Sequence, residues 1–306
     1  MATEPHPDAQ AFLDERSDAP PMEELAIEDL RGGPLPEGEP EPVDEVVDIV
    51  VRANGHGIPV RLTKPAGDGP FPIFVWAHGG GSILGTIETE DPTARALANT
   101  TGCIVASVEY RLAPEHPFPA AFRDFHAVVN WAAESADEYG ADPDTIVTGG
   151  ESAGGKLAAS CAHYIRDHGG PDIDYQVLVY PSVNYSREFP SQEEYDGYIL
   201  TTENIAWFNE QYLEEPIHGY NPYAYALEDD YFGDLPPATV LTAGFDPLQD
   251  ACKAYVDELR DAGVEVSHHH YPDMIHTFFG QLQSPEWERA REAVRDVGDD
   301  VVASLD

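Results

Sequence analysis

Ser152 is a residue whose type and surroundings could do nucleophilic chemistry. It lies in VTGGESAGGKLA (residues 147–158), where glycines stand on both sides of the serine. The β-branched run at 145–148 predicts a strand, and apolar residues at helical spacing follow the serine until Gly169. G-x-S-x-G between a strand and a helix is typical of a nucleophile on a sharp turn, since glycines let the two elements approach closely. An ordinary serine in a glycine-rich loop fits the same letters, so a catalytic Ser152 also needs partners.

An acid and a base that could activate Ser152 follow it along the chain. A serine hydroxyl becomes nucleophilic when a base takes its proton, and that base needs an acidic residue to orient it. Asp246 stands just beyond the strand-like run 239–243, and His276 follows the last predicted strand in YPDMIHTFFG. Catalytic groups of open α/β sheets gather at the carboxyl ends of strands, and these two residues are about one strand–helix–strand unit apart. We therefore expect Ser152, Asp246 and His276 to form a catalytic triad.

Other residues near these positions are weaker candidates. Asp250 is expected on the first turn of the following helix, where its charge suits the helix N-terminus. His268, His269 and His270 lie within the predicted last strand, so alternation turns them to opposite faces. A metal site there lacks convergent partners, and the three cysteines have no ligand spacing. We expect no metal, no cofactor and no disulfide framework.

A glycine triplet could stabilise the negative charge that develops in acyl transfer. WAHGGGS (76–82) follows the strand-like run 73–77, and successive glycines let backbone N–H groups turn toward one point. An HGGG loop supplies such donors in lipases and esterases, beside the N–H of the residue after the nucleophile. We therefore expect an oxyanion hole formed by Gly79, Gly80 and Ala153. A phosphate-binding loop is the alternative, but the expected lysine-containing ending is missing.

The charge of the chain limits its partners. Among 306 residues, 57 are acidic and 16 basic, which gives a formal net charge of −41. Such a charge repels nucleic acid and anionic membrane surfaces, so we expect neither as a partner. The acidic residues are spread along the whole chain, which favours adaptation to high salt, where cations screen self-repulsion; an unusually acidic mesophilic protein is the alternative. Without a signal-peptide pattern or a membrane-length apolar run, we expect a soluble, cytoplasmic protein.

Alternating strand-like and helical segments predict an α/β fold. Residues 1–45 are rich in proline and acid, with helices expected at 9–16 and 22–31, and read as an N-terminal cap or linker. The catalytic domain, 46–306, begins with a β-hairpin and continues with runs that are apolar on both faces, which implies a mostly parallel sheet with helices on both sides. Residues 183–235 interrupt this alternation with many aromatics, as an insertion over a binding site would. Strands are expected at 46–51, 58–62, 73–77, 103–108, 145–148, 177–180, 239–243 and 264–267, and helices at 93–100, 119–139, 153–168, 247–262 and 285–302.

The chain resembles the hormone-sensitive-lipase-like family of α/β-hydrolases, the bacterial family IV carboxylesterases. The resemblance rests on HGGG, YRLAPEHPFPAA (110–121), GESAGG, LPPATVLTAGFDPLQD and IHTFF, and runs from about residue 20 to the C-terminus. It implies an α/β-hydrolase fold with an eight-stranded sheet, and ester hydrolysis without a cofactor through an acyl-enzyme on Ser152. His276 would be the base and then the acid, oriented by Asp246. It also implies a helical cap made of residues 1–45 and 183–235, and it would allow a homodimer through the last sheet strand.

Several residues depart from the usual pattern of that family. Glu151 stands where aspartate is common before the serine, Lys156 where asparagine is common, and Ser82 where an aromatic usually follows HGGG. Glu151 and Lys156 lie beside the nucleophile, so they would tune the site, and Ser82 would widen or re-aim the pocket. We expect Arg111 and Glu115, within YRLAPEH, to fix that loop through an ion pair.

These observations predict a serine carboxylesterase that acts on small-molecule esters. Short to medium acyl chains are expected, because the cap region is aromatic and compact. A lipase for longer acyl chains is the nearest alternative, and amide hydrolysis by the same groups stays open. A small-molecule receptor on the same fold is the alternative from another class, but the resemblance would then imply loss of the histidine, whereas His276 is present.

Overall fold

The chain folds around one eight-stranded sheet in the computed structural model, which describes residues 4–283 and 286–305. The strands are β1 (Glu45–Ala53), β2 (His56–Lys64), β3 (Phe71–Ala77), β4 (Ile104–Val108), β5 (Ala141–Glu151), β6 (Tyr175–Val179), β7 (Ala238–Phe245) and β8 (Val266–Ile275). Their spatial order is β1-β2-β4-β3-β5-β6-β7-β8. The pairs β1–β2 and β2–β4 are antiparallel, and all other neighbours are parallel. The predicted α/β fold with a mostly parallel sheet is confirmed.

Helices cover both faces of this sheet. They are α1 (Pro7–Arg16), α2 (Ile27–Arg31), α3 (Asp91–Thr101), α4 (Ala120–Ser135), α5 (Ala153–His168), α6 (Pro190–Glu194), α7 (Thr202–Tyr212), α8 (Gln249–Asp261) and α9 (Glu288–Leu305). Side chains of β3 alternate between two cores: Ile73 and Val75 pack with α4, α5 and α8, whereas Phe74 and Trp76 pack with α3 and α9. Because the central strands β3, β4, β6 and β7 are buried on both faces, they read as continuous apolar runs.

Some predicted boundaries differ from the structure. The helix expected at 22–31 is a 3₁₀ turn at Met22–Glu24 followed by α2, because Leu25 is extended and ends the first piece. The strand expected at 264–267 continues to Ile275, since the polar side chains of this half-exposed edge strand obscure its pattern. Residues 1–3 of the N-terminal segment, Pro285 of the last predicted helix and the final residue, 306, lie outside the described residues. None of the described helices is both long and apolar enough to cross a membrane.

Candidate active site

Ser152 lies on a sharp turn between β5 and α5. Its backbone has φ 51° and ψ −112°, a left-handed conformation that few non-glycine residues adopt. The turn is tight because its neighbours are glycines. A Cβ on Gly150 would lie 2.5 Å from the carbonyl oxygen of Ala77, and a Cβ on Gly154 only 2.0 Å from the same atom. The two glycines therefore allow β5 and α5 to approach β3 closely enough to present the serine hydroxyl.

The three side chains expected to form a triad lie in one hydrogen-bonded row. His276 Nε2 is 2.9 Å from Ser152 Oγ, and His276 Nδ1 is 2.8 Å from Asp246 Oδ2. Asp246 follows β7 and His276 follows β8, and these two strands are parallel neighbours, so their carboxyl ends lie side by side. The geometry allows His276 to accept the serine proton at Nε2 while Nδ1–H donates to the carboxylate.

The acid and the base of this row are held rigidly. Asp246 is fully buried and His276 is 4% exposed. The backbone N–H of Leu248 donates to Asp246 Oδ1 at 2.9 Å, which fixes the carboxylate with its other oxygen toward the imidazole. The ring of Tyr180 packs on the imidazole, with 4.6 Å between the ring centroids. These contacts restrict rotation of His276, so its two nitrogens keep their separate partners.

The glycine loop after β3 presents N–H groups beside the serine. Gly80, Gly81 and Ala153 line the same cavity as Ser152, whereas Gly79 and Gly80 line a second cavity on the other side of the loop. Gly80 has φ +100° and Gly81 has φ +65°, conformations that favour glycine. The N–H groups of Gly80 and Gly81 have no acceptor within the described residues, so they are free to bind a ligand oxygen. Gly81 was not expected from the sequence, because three successive glycines do not indicate which N–H groups point inward.

The histidine of the same loop has a structural role. His78 Nδ1–H donates to the carbonyl oxygen of Gly79 at 2.7 Å, and the ring stacks on Tyr110 at 4.2 Å between centroids. The Tyr110 hydroxyl donates to the carbonyl oxygen of His78 at 2.9 Å. Burial lowers the pKa of His78 to about 4, so the ring is neutral at neutral pH. The imidazole therefore braces the loop and contributes no positive charge to the site.

Two buried carboxylic acids lie behind the nucleophile. Glu151 Oε2 accepts from the Tyr180 hydroxyl at 2.9 Å, and Glu90 Oε2 accepts from the Trp76 indole N–H at 2.9 Å. Burial raises the pKa of Glu90 to about 7. Burial and the charge of Glu90 together raise the pKa of Glu151 well above its ordinary value. These effects favour the neutral form of Glu151, which reduces the negative charge next to Ser152.

A cavity of about 230 Å³ opens beside Ser152. Its apolar lining comes from the N-terminal segment, from the insertion at 183–235 and from the loop after β7: Met22, Ile199, Leu200, Ile205, Phe208 and Leu248. The two cap pieces are bonded to each other, since Asn204 Nδ2 donates to Glu23 Oε2 at 2.8 Å. The Phe208 ring packs against Gly81 so closely that a Cβ there would lie 2.1 Å from it. Both predicted cap segments thus contribute to the cover over this cavity.

The predicted ion pair between Arg111 and Glu115 is wrong. Arg111 instead binds Asp124, a fully buried carboxylate of α4, at 2.7 Å from Nε and 2.9 Å from Nη2. Glu115 pairs with Arg31 of α2 at 2.7 Å, and Arg31 also donates to the carbonyl oxygen of Ala113. Glu115 is near Arg111 in the sequence, but the fold brings Asp124 of α4 to Arg111 and Arg31 of α2 to Glu115. The loop is fixed by ion pairs, although by different ones than the sequence indicated.

The competing candidates lie outside this row. Asp250 occupies the first turn of α8, as expected. His268 and His270 both lie 2.9 Å from the Thr242 hydroxyl, whereas His269 binds an aspartate of α9, so the three histidines are divided between the two faces. Across residues 4–283 and 286–305, no cluster of His, Cys, Asp and Glu side chains could hold a metal ion. All three cysteines are buried free thiols.

The sequence predicts Lys156 beside the nucleophile, but it does not predict the burial of this side chain in the lining of the cavity. In the sequence, Lys156 stands out as a departure from a family pattern. The direction of its side chain depends on the first turn of α5. The structure places its side chain on the lining of the cavity that contains Ser152, almost fully buried. A charged residue at helical spacing is usually assigned to the solvent face, so periodicity alone could not have found it.

The chain is similar to known ester hydrolases of the α/β-hydrolase fold. Residues 74–280 match a family model described as alpha/beta hydrolase fold. The chain is 37% identical over 246 residues to carboxylic ester hydrolase LipN of Mycobacterium tuberculosis, covering 78% of this chain and 65% of that protein. It is 32% identical over 271 residues to an ethyl acetate hydrolase of Pseudomonas putida, covering 84% and 85%. A hyperthermophilic esterase from the archaeon Pyrobaculum calidifontis superposes with a TM-score of 0.92 at 35% identity, covering 99% of each chain.

Proposed function

Since this chain belongs to the hormone-sensitive-lipase-like family of α/β-hydrolases, and since the relatives described above are ester hydrolases, we propose that it cleaves short- to medium-chain carboxylic esters through an acyl-enzyme on Ser152. The observation that carries the proposal is the row of hydrogen bonds from Ser152 through His276 to Asp246. A small-molecule ester is the corresponding substrate.

In both halves of the reaction, His276 first accepts a proton and then gives it back. Ser152 Oγ attacks the ester carbonyl carbon as its proton passes to His276 Nε2, and the imidazolium is stabilised by Asp246. The tetrahedral intermediate then collapses, the bond to the alcohol oxygen breaks, and His276 returns the proton to the leaving alcohol. A water molecule that gives a proton to His276 attacks the acyl-enzyme, and the acid leaves as Ser152 recovers its proton.

We further propose that the oxyanion of each intermediate binds the N–H groups of Gly80, Gly81 and Ala153. All three residues line the cavity beside Ser152. Gly79, which the sequence favoured, lies toward the second cavity, and its carbonyl oxygen is engaged by His78. Each such donor typically contributes about 3 kcal/mol to the stability of the transition state.

The size of the cavity supports short acyl chains. Its volume of about 230 Å³ lies below the roughly 300–1,000 Å³ of pockets that take drug-sized ligands. Apolar side chains of the two cap pieces line it, and one relative is an ethyl acetate hydrolase. Long acyl chains, as in lipase substrates, would need displacement of the cap residues Ile205 and Phe208.

Salt adaptation is proposed from the charge of the chain. With 57 acidic and 16 basic residues, most carboxylates have no cation of their own to pair with. Molar salt shortens the Debye length to about 3 Å and so screens the repulsion between them. The free energy of unfolding should therefore rise steeply between dilute buffer and molar potassium chloride, and equal stability in both would contradict the proposal.

Hydrolysis of p-nitrophenyl esters from acetate to decanoate, in molar salt, tests the reaction. The wild-type protein should be most active on short to medium chains, and Ser152→Ala should retain only the background rate. Cys161→Ala is a matched control, because this buried thiol on the same helix does not line the cavity. A folded wild-type protein without activity on any ester would favour the receptor alternative, and an optimum at decanoate would favour a lipase.

A further inference from the structure

A buried lysine shares the cavity with Ser152. Lys156 follows the serine by four residues, so the two lie on the same side of the first turn of α5. Lys156 is 3% exposed and lines the same cavity as Ser152 and His276. A cationic group thus faces the space that a substrate would occupy.

Nothing in the described residues neutralises this ammonium group. Lys156 Nζ has no hydrogen-bond or ion-pair partner there; it lies 3.4 Å from the centroid of the Tyr212 ring and 4.9 Å from that of Tyr225. Burial raises the pKa of both tyrosines, so neither is an anion at neutral pH. Among residues 4–283 and 286–305, the compensation comes from the attraction of a cation to two aromatic faces.

A structural role does not account for a lysine here. A buried cation without a carboxylate destabilises a fold, and a methionine of similar volume would pack on the same rings without that penalty. Burial lowers the pKa of Lys156 to about 7. Buried residues that destabilise the fold in this way are found at functional sites, where a ligand supplies the missing partner.

A second donor lines the same cavity. Asn209 and Tyr225 both line it, and the Tyr225 hydroxyl donates to Asn209 Oδ1 at 2.6 Å. This bond fixes the amide so that Nδ2 carries the free hydrogens, which have no acceptor within the described chain. The Tyr225 side chain therefore contacts both donors, because its ring lies 4.9 Å from Lys156 Nζ and its hydroxyl is bonded to Asn209. A planar acceptor with two oxygens suits that pair of donors.

We propose that Lys156 and Asn209 bind the free carboxylate of a substrate that is the monoester of a dicarboxylic acid. The inference rests on the proposed esterase function and narrows its substrate class. The backbones of Ser152 and Lys156 are about 6 Å apart along the helix axis, so short acyl chains with roughly two to four methylene groups between the ester carbonyl and the carboxylate are the ones that we expect to fit. Molar salt would screen the repulsion between such an anion and the acidic surface.

Paired substrates test this specificity. Monoethyl glutarate and ethyl valerate have acyl chains of equal length and release the same alcohol, so ethanol formation reports both reactions. Replacing Lys156 by methionine should reduce the ratio of kcat/KM for the monoester to kcat/KM for the neutral ester by about 10- to 100-fold. Lys64→Met is the control, because this lysine lies on β2 and binds Glu45 away from the cavity, and the ratio should not change.

A binding measurement separates this inference from the proposed function. In Ser152→Ala, monoethyl glutarate should bind at least about tenfold more tightly than in the double variant that also carries Lys156→Met. If the wild-type protein cleaves ethyl valerate but the ratio and the affinity do not depend on Lys156, the inference is overturned and the esterase proposal stands. If neither ester is cleaved, the esterase proposal fails, and the affinity difference alone decides whether the carboxylate site exists.

Discussion

Replacing Lys156 by methionine should make the protein more stable at neutral and mildly acidic pH. Lysine and methionine side chains have similar volumes, so the substitution leaves no large cavity. It removes a desolvated ammonium group whose only partners are the rings of Tyr212 and Tyr225. The effect should depend on pH, because the penalty falls as the pH rises from the lowered pKa of the folded state toward the ordinary pKa of lysine.

The expected size follows from the pKa of the lysine. Burial lowers that pKa from 10.5 to about 7, and each unit corresponds to about 1.4 kcal/mol. The full shift therefore corresponds to an upper bound of roughly 5 kcal/mol, from which the contact with the Tyr212 ring recovers up to about 2 kcal/mol. A gain of about 3 kcal/mol in the free energy of unfolding is expected for the methionine variant at pH 6.5.

The direction of the pH dependence follows from proton binding. Between pH 7 and 10.5 the unfolded chain binds a proton at Lys156 that the folded chain lacks, so wild-type stability rises with pH in this window. The methionine variant has no such rise. Its advantage should therefore shrink from about 3 kcal/mol at pH 6.5 to about 1 kcal/mol at pH 9.5.

Chemical denaturation of both proteins in molar potassium chloride, at pH 6.5, 8 and 9.5, measures this difference. Lys64→Met, which removes a lysine paired with Glu45, should show no gain and little change with pH. If the methionine variant is no more stable than the wild type at pH 6.5, or if its advantage does not depend on pH, Lys156 is not a desolvated cation. The physical argument for a missing anionic partner would then be refuted.

Three other variants test the loop, the ion pairs and the buried acids. Gly80→Ala should lower kcat by about 100- to 1,000-fold, because a Cβ there would lie 2.3 Å from a backbone carbonyl oxygen of the same loop. Asp124→Ala should destabilise the fold by about 2 kcal/mol, since it leaves the Arg111 guanidinium without its buried carboxylate. Glu90→Gln should have the same free energy of unfolding as the wild type at pH 4.5 and a value up to about 3 kcal/mol higher at pH 8. The reason is that the raised pKa of Glu90 makes wild-type stability fall as the pH rises from 4.5 through about 7.

Each of these has its own measurement and control. Steady-state kinetics should find Gly102→Ala fully active, since that glycine also has a positive φ but nothing within 4 Å of its Cβ position. Urea denaturation should show that Asp48→Ala, which removes an exposed partner of Arg61, lowers the free energy of unfolding by less than about 1 kcal/mol. An equally small loss for Asp124→Ala would contradict the importance of burial. Parallel pH profiles for Glu90→Gln and wild type would show that Glu90 ionises freely in the folded protein.

The sequence could indicate where the central residues lie because each follows a local pattern. Ser152 stands between a β-branched run and a helical one, and Asp246 and His276 each follow a run that ends at the same edge of the sheet. Parallel strands bring their carboxyl ends together, so chain order and strand ends were sufficient to expect proximity. The steric need for Gly150 and Gly154 follows from the same turn.

The features that the sequence could not supply depend on contacts between distant segments. Arg111 has several acidic residues near it in the chain, and only the packing of α4 selects Asp124. The N–H directions of three successive glycines depend on backbone conformations that the sequence does not specify, such as the positive φ of Gly80 and Gly81. Lys156 belongs to a polar residue type that patterns assign to solvent, yet the turn after β5 directs it into the cavity. These three features are determined by tertiary contacts rather than by local propensity.

Covalent labelling with a p-nitrophenyl phosphonate ester tests the acyl-enzyme proposal most directly. The wild-type protein should release one equivalent of p-nitrophenol per chain and gain the phosphonyl mass on the peptide that contains Ser152. Labelling should be lost in Ser152→Ala and strongly slowed in His276→Ala, because the serine proton then has no acceptor. Labelling of another residue, or ester hydrolysis that continues in a protein whose Ser152 is unmodified, would contradict the account.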